Sequence, residues 1–209
     1  MCRRQTTPMP EPRYIALEGL EGCGKSTHAR RLGERLGAVV TREPGGTRIG
    51  ALLRGILADP ASTDMAARTE ALLMAADRAQ HMAEVVRPAL ESGRHVVSDR
   101  SIYSTLAYQG HGRRLGTETL LSISTWALEG RLPDMVVYLD VPMNVLTERL
   151  KKRDLDRFER EGPDFFARIH TGFAELRAAD PERWIVIDGT LPKDDVEAAI
   201  AAAVSARLS

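Results

Sequence analysis

The chain carries the stretch Gly19-Leu20-Glu21-Gly22-Cys23-Gly24-Lys25-Ser26-Thr27, which matches the phosphate-binding pattern G-x-x-x-x-G-K-[ST] at every fixed position. A short apolar run at residues 14–17 precedes the stretch and predicts a buried strand. Residues 25–36 follow it with apolar side chains at helical spacing. Strand, glycine-rich loop and helix form the setting in which backbone N–H groups and a helix N-terminus surround a phosphate. We therefore interpret residues 19–27 as a phosphate loop rather than an ordinary tight turn.

Individual side chains of this loop have predicted roles. Lys25 is expected to reach the β- and γ-phosphates of a bound nucleotide, and Ser26 to hold Mg²⁺. Cys23 is interpreted as a small loop filler, with a reactive thiol as the alternative because a helix N-terminus stabilises a thiolate. A dinucleotide-binding fingerprint is excluded, since Thr27 stands where its final glycine would be.

The composition of the 209 residues narrows the class of protein. Basic and acidic side chains number 29 each, so a net charge of +0 gives no indication of binding to nucleic acid or to an anionic membrane. Two cysteines form no disulfide framework, which favours a reducing cytoplasm. The longest apolar run, residues 198–204, is far shorter than the ~20 residues of a membrane span, and no signal peptide is expected. Residues 1–12 are polar and Pro-rich and are predicted to be disordered, ahead of a single domain at 13–209.

Short apolar runs alternate with helical patterns along the rest of the chain. Further strands are predicted at residues 38–41, 95–100, 135–140 and 184–188. Helices are predicted at residues 49–57, 69–90, 117–129, after Pro142 and at 194–208. This alternation predicts an α/β fold, with a five-stranded parallel sheet covered by helices on both faces.

Charged residues end two of the predicted strands. Arg42 follows the second strand, and Asp99 and Arg100 end the third. Open α/β sheets bind ligands at the carboxyl ends of their strands, so both arginines are candidate anion anchors. Asp99 is a candidate ligand of Mg²⁺, directly or through water, if its strand pairs beside the first. For Arg42, a solvated loop arginine is an equal alternative.

The helix predicted at residues 69–90 carries Met74 and, about one turn later, Arg78. Residues at that spacing share a helix face, so the two side chains are expected to line one side of a pocket. Asp77 is predicted to lie on the solvated face, which is the usual place for a helix charge.

Residues 149–159 are dense in charge and lack a clean apolar face, and Gly162-Pro163 follow them. We interpret this stretch as mobile rather than as part of the core, and residues 151–163 are called the lid segment below. A solvated basic helix end is the alternative.

A phosphate loop alone is shared by kinases, GTPase switches and motors. Asn144 is the only asparagine and Val145 follows it, so the Asn-Lys-x-Asp motif that reads guanine is absent. Arg42, Arg100 and the lid segment supply more positive charge to one sheet edge than a single triphosphate needs. That excess favours phosphoryl transfer between two nucleotides.

Five segments, in their order and spacing, resemble the thymidylate kinase family, whose members transfer the γ-phosphate of ATP to dTMP. They are residues 18–27, 41–47, 72–78, the pair Asp99-Arg100 with 107–110, and 156–159. The resemblance covers nearly the whole chain from Arg13 onward. It implies the P-loop NTPase-type fold of nucleoside monophosphate kinases, with ATP and dTMP as ligands, Mg²⁺ as cofactor and a homodimer packed through helices.

The resemblance also implies roles for single residues. ATP is expected on loop residues Gly19, Leu20, Glu21, Gly22, Cys23, Gly24, Lys25, Ser26 and Thr27. For dTMP, Glu21 resembles the carboxylate at the sugar, Arg42 and Arg100 the clamps on the phosphate, and Arg78 the arginine on a thymine carbonyl. The family residues that make the other contacts to the base and the sugar correspond by resemblance to Ser104, Thr105, Tyr108 and Gln109. Met74 stands where the family usually has a phenylalanine stacked on thymine.

A catalytic arginine is expected in the lid segment. Some members of the family carry it in the phosphate loop, but Leu20, Glu21 and Cys23 are not basic here. Arg149, Arg153 and Arg157 recur at i, i+4 spacing and would share one face of a helix. Arg153 and Arg157 are therefore predicted to act with Lys25 and Glu21 in catalysis, the alternative being solvated surface charges.

Two other functions stay open at this stage. A deoxynucleoside kinase would share the loop and the lid segment, but its acceptor carries no phosphate and would have less need of Arg42 and Arg100. A non-enzymatic nucleotide-binding module would have no reason to carry a charged lid segment.

Overall fold

The computed structural model describes residues 11–151 and 155–208. Its sheet has five parallel strands in the order β2-β3-β1-β4-β5. The strands are β1 (Tyr14–Glu18), β2 (Val39–Arg42), β3 (Val96–Asp99), β4 (Met135–Asp140) and β5 (Trp184–Asp188). The predicted α/β class with a five-stranded parallel sheet is confirmed.

Helices connect the strands and surround the sheet. They are α1 (Lys25–Leu36), α2 (Arg48–Ala58), α3 (Ala67–His81), α4 (Arg87–Glu91), α5 (Ile102–Thr105), α6 (Glu118–Ala127), α7 (Met143–Leu150), α8 (Pro163–Ala179) and α9 (Lys193–Leu208). A π-helical turn, Met82–Val86, joins α3 to α4, and a second π-helical segment, Leu106–Gly112, continues α5. Within the part of the chain that the structure describes, no helix is both long and apolar enough to cross a membrane.

The central strands form the core. All five residues of β1 are buried, and β3 beside it is buried throughout. Both faces of such strands are covered, which explains their nearly continuous apolar sequences. In β2, at the edge of the sheet, partly buried residues alternate with exposed ones.

The register of the sheet gathers the strand ends beside the phosphate loop. Leu17 of β1 is level with Asp99 of β3, and Asp99 is level with Arg42 of β2. The predicted neighbourhood of Asp99 and the loop is therefore confirmed. It follows from parallel pairing, which places all carboxyl ends at one edge.

Helix α8 was not predicted from the sequence. It begins at Pro163, a residue well suited to the first helical turn, and buries Phe165, Phe166, Ile169 and Phe173. It packs closely on the second π-helical segment. The closeness is seen at Gly112, where an added Cβ would lie 2.7 Å from the Phe165 ring. The missing side chain at Gly112 thus permits the approach of the two helices.

The interpretation of residues 149–159 as lying outside the core was wrong for Phe158. The Phe158 ring is only 8% exposed and belongs to the main core cluster. Asp156 stabilises the turn here, since its carboxylate accepts the backbone N–H groups of Phe158 and Glu159. Arg153 and the predicted disorder at residues 1–10 lie outside the described residues.

Candidate active site

The phosphate loop joins β1 to the first residue of α1, Lys25. Gly22 and Gly24 have φ values of 78° and 101°, a conformation that glycine adopts without strain. At Gly19 a Cβ would lie 2.9 Å from the backbone oxygen of Leu139. The Nζ atom of the buried Lys25 donates to the Leu20 backbone oxygen at 2.8 Å, so this side chain lies across the loop.

A pair of oxygen-bearing side chains lies at the start of α1. The Ser26 hydroxyl donates to Oδ2 of Asp99 at 2.5 Å. The other carboxylate oxygen of Asp99 is buried and has no hydrogen-bond partner among the described residues. Oxygen ligands of this kind suit Mg²⁺, which takes one or two protein ligands and completes its shell with phosphates and water. The two side chains therefore fit this ion.

A cavity of about 360 Å³ opens beside the loop and brings most of the predicted residues together. Its lining includes Glu21, Gly22, Gly24, Lys25, Ser26, Thr27, Arg42, Met74, Arg78, Asp99, Arg100, Ser104, Thr105, Tyr108 and Gln109. Leu20 and Cys23 are buried under the loop instead.

Arg100 is held in an unusual conformation at the centre of the site. Its φ of 77° is left-handed, which costs free energy for any residue except glycine and is frequent at functional sites. Its guanidinium donates to Glu21 at 2.7 Å and to the Ser104 hydroxyl at 2.9 Å. Burial opposes the charge, but Tyr108 and the carboxylates of Glu21 and Glu18 outweigh burial and raise the pKa of Arg100 well above its usual value.

Tyr108 completes this cluster. Its hydroxyl donates to Glu21 at 2.6 Å, and its ring lies 4.9 Å from the Arg100 guanidinium. Burial and the Glu21 carboxylate raise the pKa of Tyr108 well above its usual value, although Arg100 opposes the shift. The phenol therefore keeps its proton at neutral pH and remains a hydrogen-bond donor.

Glu18, the last residue of β1, has a structural role that the sequence analysis missed. Its buried carboxylate accepts the backbone N–H groups of Ser101 and Ser104 and both of their hydroxyl groups. It thereby accepts hydrogen bonds from backbone N–H groups at the start of α5, which have no partner within the helix. Helix α5 carries Ser104 and Thr105 to the cavity. Burial raises the pKa of Glu18, against the opposing effect of Arg100. The sequence signal that could have revealed this role is the position of Glu18, a carboxylate at the end of an otherwise apolar strand.

Arg78 is fixed by a buried network that was also missed. Its Nε donates to Glu43 at 2.9 Å, and His81 Nδ1 lies 2.8 Å from the other oxygen of that carboxylate. Thr41 contacts the far nitrogen of His81 at 2.7 Å. Burial opposes ionisation of Glu43, but Arg78 and His81 outweigh it and hold the pKa of the Glu43 carboxyl below its usual value.

The solvated position predicted for Asp77 was wrong. Its side chain is buried and accepts the backbone N–H of Gly45 at 2.9 Å. Burial raises the pKa of Asp77 despite that hydrogen bond. The carboxylate joins α3 to the loop after β2, a contact that helical periodicity alone does not reveal.

Two arginines bring positive charge to the outer part of the cavity. Arg42 is exposed at the end of β2, and Arg54 of α2 lies near it, donating to the Pro44 backbone oxygen at 3.1 Å. Burial and the charge of Arg42 lower the pKa of Arg54. Arg54 was not predicted as a site residue, because nothing in a helix pattern distinguishes it from its neighbours.

The predicted common helix face of the lid-segment arginines was wrong for Arg157. Helix α7 ends at Leu150, and Arg157 lies in a turn beyond it. The Arg157 side chain donates to the Leu57 backbone oxygen and pairs with Glu70 at 2.8 Å, outside the cavity lining. Arg149 instead contacts the phosphate loop, donating to the Gly22 backbone oxygen at 3.3 Å.

A phosphate loop at the carboxyl edge of a parallel sheet, beside an arginine-lined cavity, defines a P-loop protein that binds nucleotides. A family model described as "Thymidylate kinase" matches residues 17–200. The chain belongs to the thymidylate kinase family.

Individual relatives extend over almost the whole chain. A thymidylate kinase of Desulfovibrio desulfuricans is 42% identical over 208 residues, covering 93% of this chain and 96% of the relative. One of Desulforudis audaxviator is 44% identical over 201 residues, covering 93% and 91%. One of Neisseria meningitidis serogroup C is 44% identical over 196 residues, covering 91% and 95%.

Proposed function

We propose that this protein is a thymidylate kinase, which transfers the γ-phosphate of ATP to dTMP and gives dTDP and ADP in dTTP synthesis. Membership of the family and the names of its relatives support the reaction. The observation that carries the proposal is the shared cavity. Its lining contains Lys25 of the phosphate loop together with Arg42 and Arg100, the candidate anion anchors, and the buried Arg78, which supports the proposal.

The donor is assigned to the phosphate loop. Backbone N–H groups of residues 19–27 and the Lys25 ammonium would hold the ATP phosphates. Ser26 and Asp99 would hold Mg²⁺, directly or through water. Bound there, the ion would neutralise charge on the β- and γ-phosphates.

The acceptor is assigned to the opposite wall. Arg42 and Arg100 would clamp the dTMP phosphate, with Arg54 adding positive charge nearby. Glu21 and Tyr108 would contact the sugar, as the resemblance implies. Binding two polyanions in line lets positioning and electrostatic stabilisation supply the catalysis, so no strong general base is required.

The base would lie against the inner end of the cavity. Arg78 is the proposed donor to a thymine carbonyl, and Met74 would lie on the ring through its polarizable sulfur. The remaining polar contacts are assigned to Ser104, Thr105 and Gln109. All of these residues line the same cavity, which supports the assignment.

Catalytic charge from the lid segment remains part of the proposal. Arg153 is assigned the contact with the transferring phosphoryl group, on the basis of the resemblance. Arg157 would have to leave Glu70 to reach that group. We therefore assign Arg157 mainly a structural role, in which its pair with Glu70 holds the lid segment in place.

We also propose a homodimer. Helices α2, α3 and α6 carry the exposed apolar side chains Leu52, Ile56, Leu72, Leu121 and Trp126, with Leu52 63% and Trp126 82% exposed. Exposed apolar patches mark interaction surfaces, and a second copy of this chain is the partner that the resemblance implies. Sedimentation velocity tests this: a single species with the mass of one chain would contradict it.

An ADP-release assay with ATP, Mg²⁺ and a panel of nucleosides and nucleoside monophosphates tests the function. We expect turnover with dTMP. Turnover with thymidine alone would favour a deoxynucleoside kinase, and no turnover with any acceptor would favour a nucleotide-binding module.

A further inference from the structure

Glu70 of α3 is a fully buried carboxylate next to the cavity, and the assignments above give it no role in base recognition. Three side chains from separate parts of the chain converge on it. Gln109 Nε2 donates to its Oε1 at 2.7 Å, Arg113 pairs with its Oε2 at 3.1 Å, and Arg157 pairs with its Oε2 at 2.8 Å. Arg113 Nε also lies 3.2 Å from each carboxylate oxygen. The shorter arginine contacts thus fall on Oε2, and the Gln109 amide is the shortest contact of Oε1.

This contact determines which way the Gln109 amide points. A carboxylate that carries no proton only accepts hydrogen bonds, so the NH₂ group must face Glu70. The carbonyl oxygen Oε1 is then left over. It is buried and has no hydrogen-bond partner among the described residues, and Gln109 lines the cavity. A buried acceptor in this position requires a donor from a ligand or from water.

Pyrimidine bases differ in what they offer to such an acceptor. The N3 atom of thymine carries a hydrogen and donates, whereas N3 of cytosine accepts. A site that is built around a hydrogen bond rejects the base that lacks the matching group, because a buried polar atom stays unpaired. The amide orientation of Gln109 therefore decides which base matches.

The network around Glu70 also explains why the carboxylate stays in place. Arg113 pairs with Glu161 of the lid segment as well, and the backbone N–H of Arg157 donates to Ala58 at 3.1 Å. The neighbouring Phe158 lines the cavity. Glu70 thus connects the base side of the cavity to residues 155–161.

We propose, on the basis of the proposed function, that Glu70 is a positioning residue that fixes the Gln109 amide and so selects pyrimidines with a donor at N3. The selection acts through Gln109, since Glu70 itself contacts no substrate atom. It applies to the nucleotide acceptor, which would be dTMP in preference to dCMP.

The variant Glu70→Gln tests the proposal. Its single carbonyl would be drawn to the arginines, which leaves its NH₂ group facing Gln109 and inverts that amide. We expect the ratio of kcat/KM for dTMP to that for dCMP to fall about tenfold or more, mainly through a higher KM for dTMP. An unchanged ratio in the folded variant would overturn the proposal. An inactive wild-type protein would instead contradict the proposed function.

Glu161→Gln is the matched control, because it removes a partner of Arg113 without touching Gln109. The ratio should be unchanged there; an equal fall would show a general structural effect and overturn the proposal. In a Gln109→Leu background, Glu70→Gln should change the ratio no further, and an additional fall would also overturn it.

A measurement on the wild-type protein covers the case in which Glu70→Gln fails to fold. We expect dTMP methylated at N3 to bind at least about tenfold more weakly than dTMP, because the methyl group removes the donor. Equal affinities of the two nucleotides would overturn the proposal.

Discussion

Single residues of the site have little conformational freedom. Arg100 is fixed by its left-handed backbone and by Glu21, Ser104 and Tyr108. Arg78 is fixed by Glu43. Side chains held in this way are already oriented for a charged ligand, so binding orders few further groups. Arg42 differs, since it is exposed at the rim of the cavity.

Arg42→Ala should therefore weaken dTMP binding with little effect on ATP binding. A charge-assisted hydrogen bond is worth about 1.5–3 kcal/mol, which corresponds to a rise of tenfold or more in the Kd for dTMP. Isothermal titration calorimetry with each nucleotide measures both affinities. Arg48→Ala, at an exposed arginine outside the cavity, is the control. Weakened ATP binding with unchanged dTMP binding would reverse the roles of the two sides.

The buried Glu43–Arg78 pair predicts a pH dependence of stability. Because the folded-state pKa of Glu43 lies below the usual 4.5, its stabilising contribution is present above that value and is lost as the pH falls through the folded-state pKa. Glu43→Gln should lower the free energy of unfolding by about 3 kcal/mol near neutral pH, since it leaves Arg78 buried without its partner.

Urea unfolding of the wild type and Glu43→Gln at several pH values measures this effect. The difference between the two proteins should shrink as the pH falls below the usual carboxyl range. Glu91→Gln, at an exposed position, should differ little from the wild type at any pH. A difference for Glu43→Gln that stays constant down to acidic pH would contradict the assignment.

At the scale of elements, the second π-helical segment is the centre of the substrate side. It carries Tyr108 and Gln109, follows α5, which is capped by Glu18, and is covered by α8. Residues 155–160 contact the same region through Arg157 and Phe158. Residues 155–160 and the acceptor side of the cavity are therefore connected by direct contacts.

The two lid-segment arginines should respond differently to substitution. Arg153→Ala should lower kcat far more than it raises the KM for dTMP, on the order of 10³-fold if Arg153 meets the transferring phosphoryl group. Arg157→Ala should instead lower the melting temperature and raise the KM, because it breaks the buried pair with Glu70.

Steady-state kinetics and thermal unfolding of both variants measure these effects. Arg160→Ala, an exposed arginine of the same segment, is the control and should be nearly silent. An unchanged kcat in Arg153→Ala would remove the catalytic role assigned to the lid segment.

At the scale of the whole molecule, local sequence patterns predicted which strand ends and loops form the site, but they did not predict its buried ion pairs. Parallel strands end at one edge, so the approach of Arg42, Asp99 and Arg100 could be predicted from strand positions alone. The pairing of Glu70 with Arg157 joins residues far apart in the chain, and only tertiary packing determines such a pair. Helix α8 was not predicted, although its buried residues Phe165, Ile169 and Phe173 recur at i, i+4 spacing.

The identity of the labelled product tests the central claim most directly. The purified protein is incubated with Mg²⁺, dTMP and ATP labelled in the γ-phosphate, and the nucleotides are separated. We predict that the label passes to dTDP, and that a folded Lys25→Ala variant loses most of this transfer because it lacks the charge on the β- and γ-phosphates. No label in dTDP from the wild type, or near-normal transfer by the folded Lys25→Ala variant, would contradict this claim.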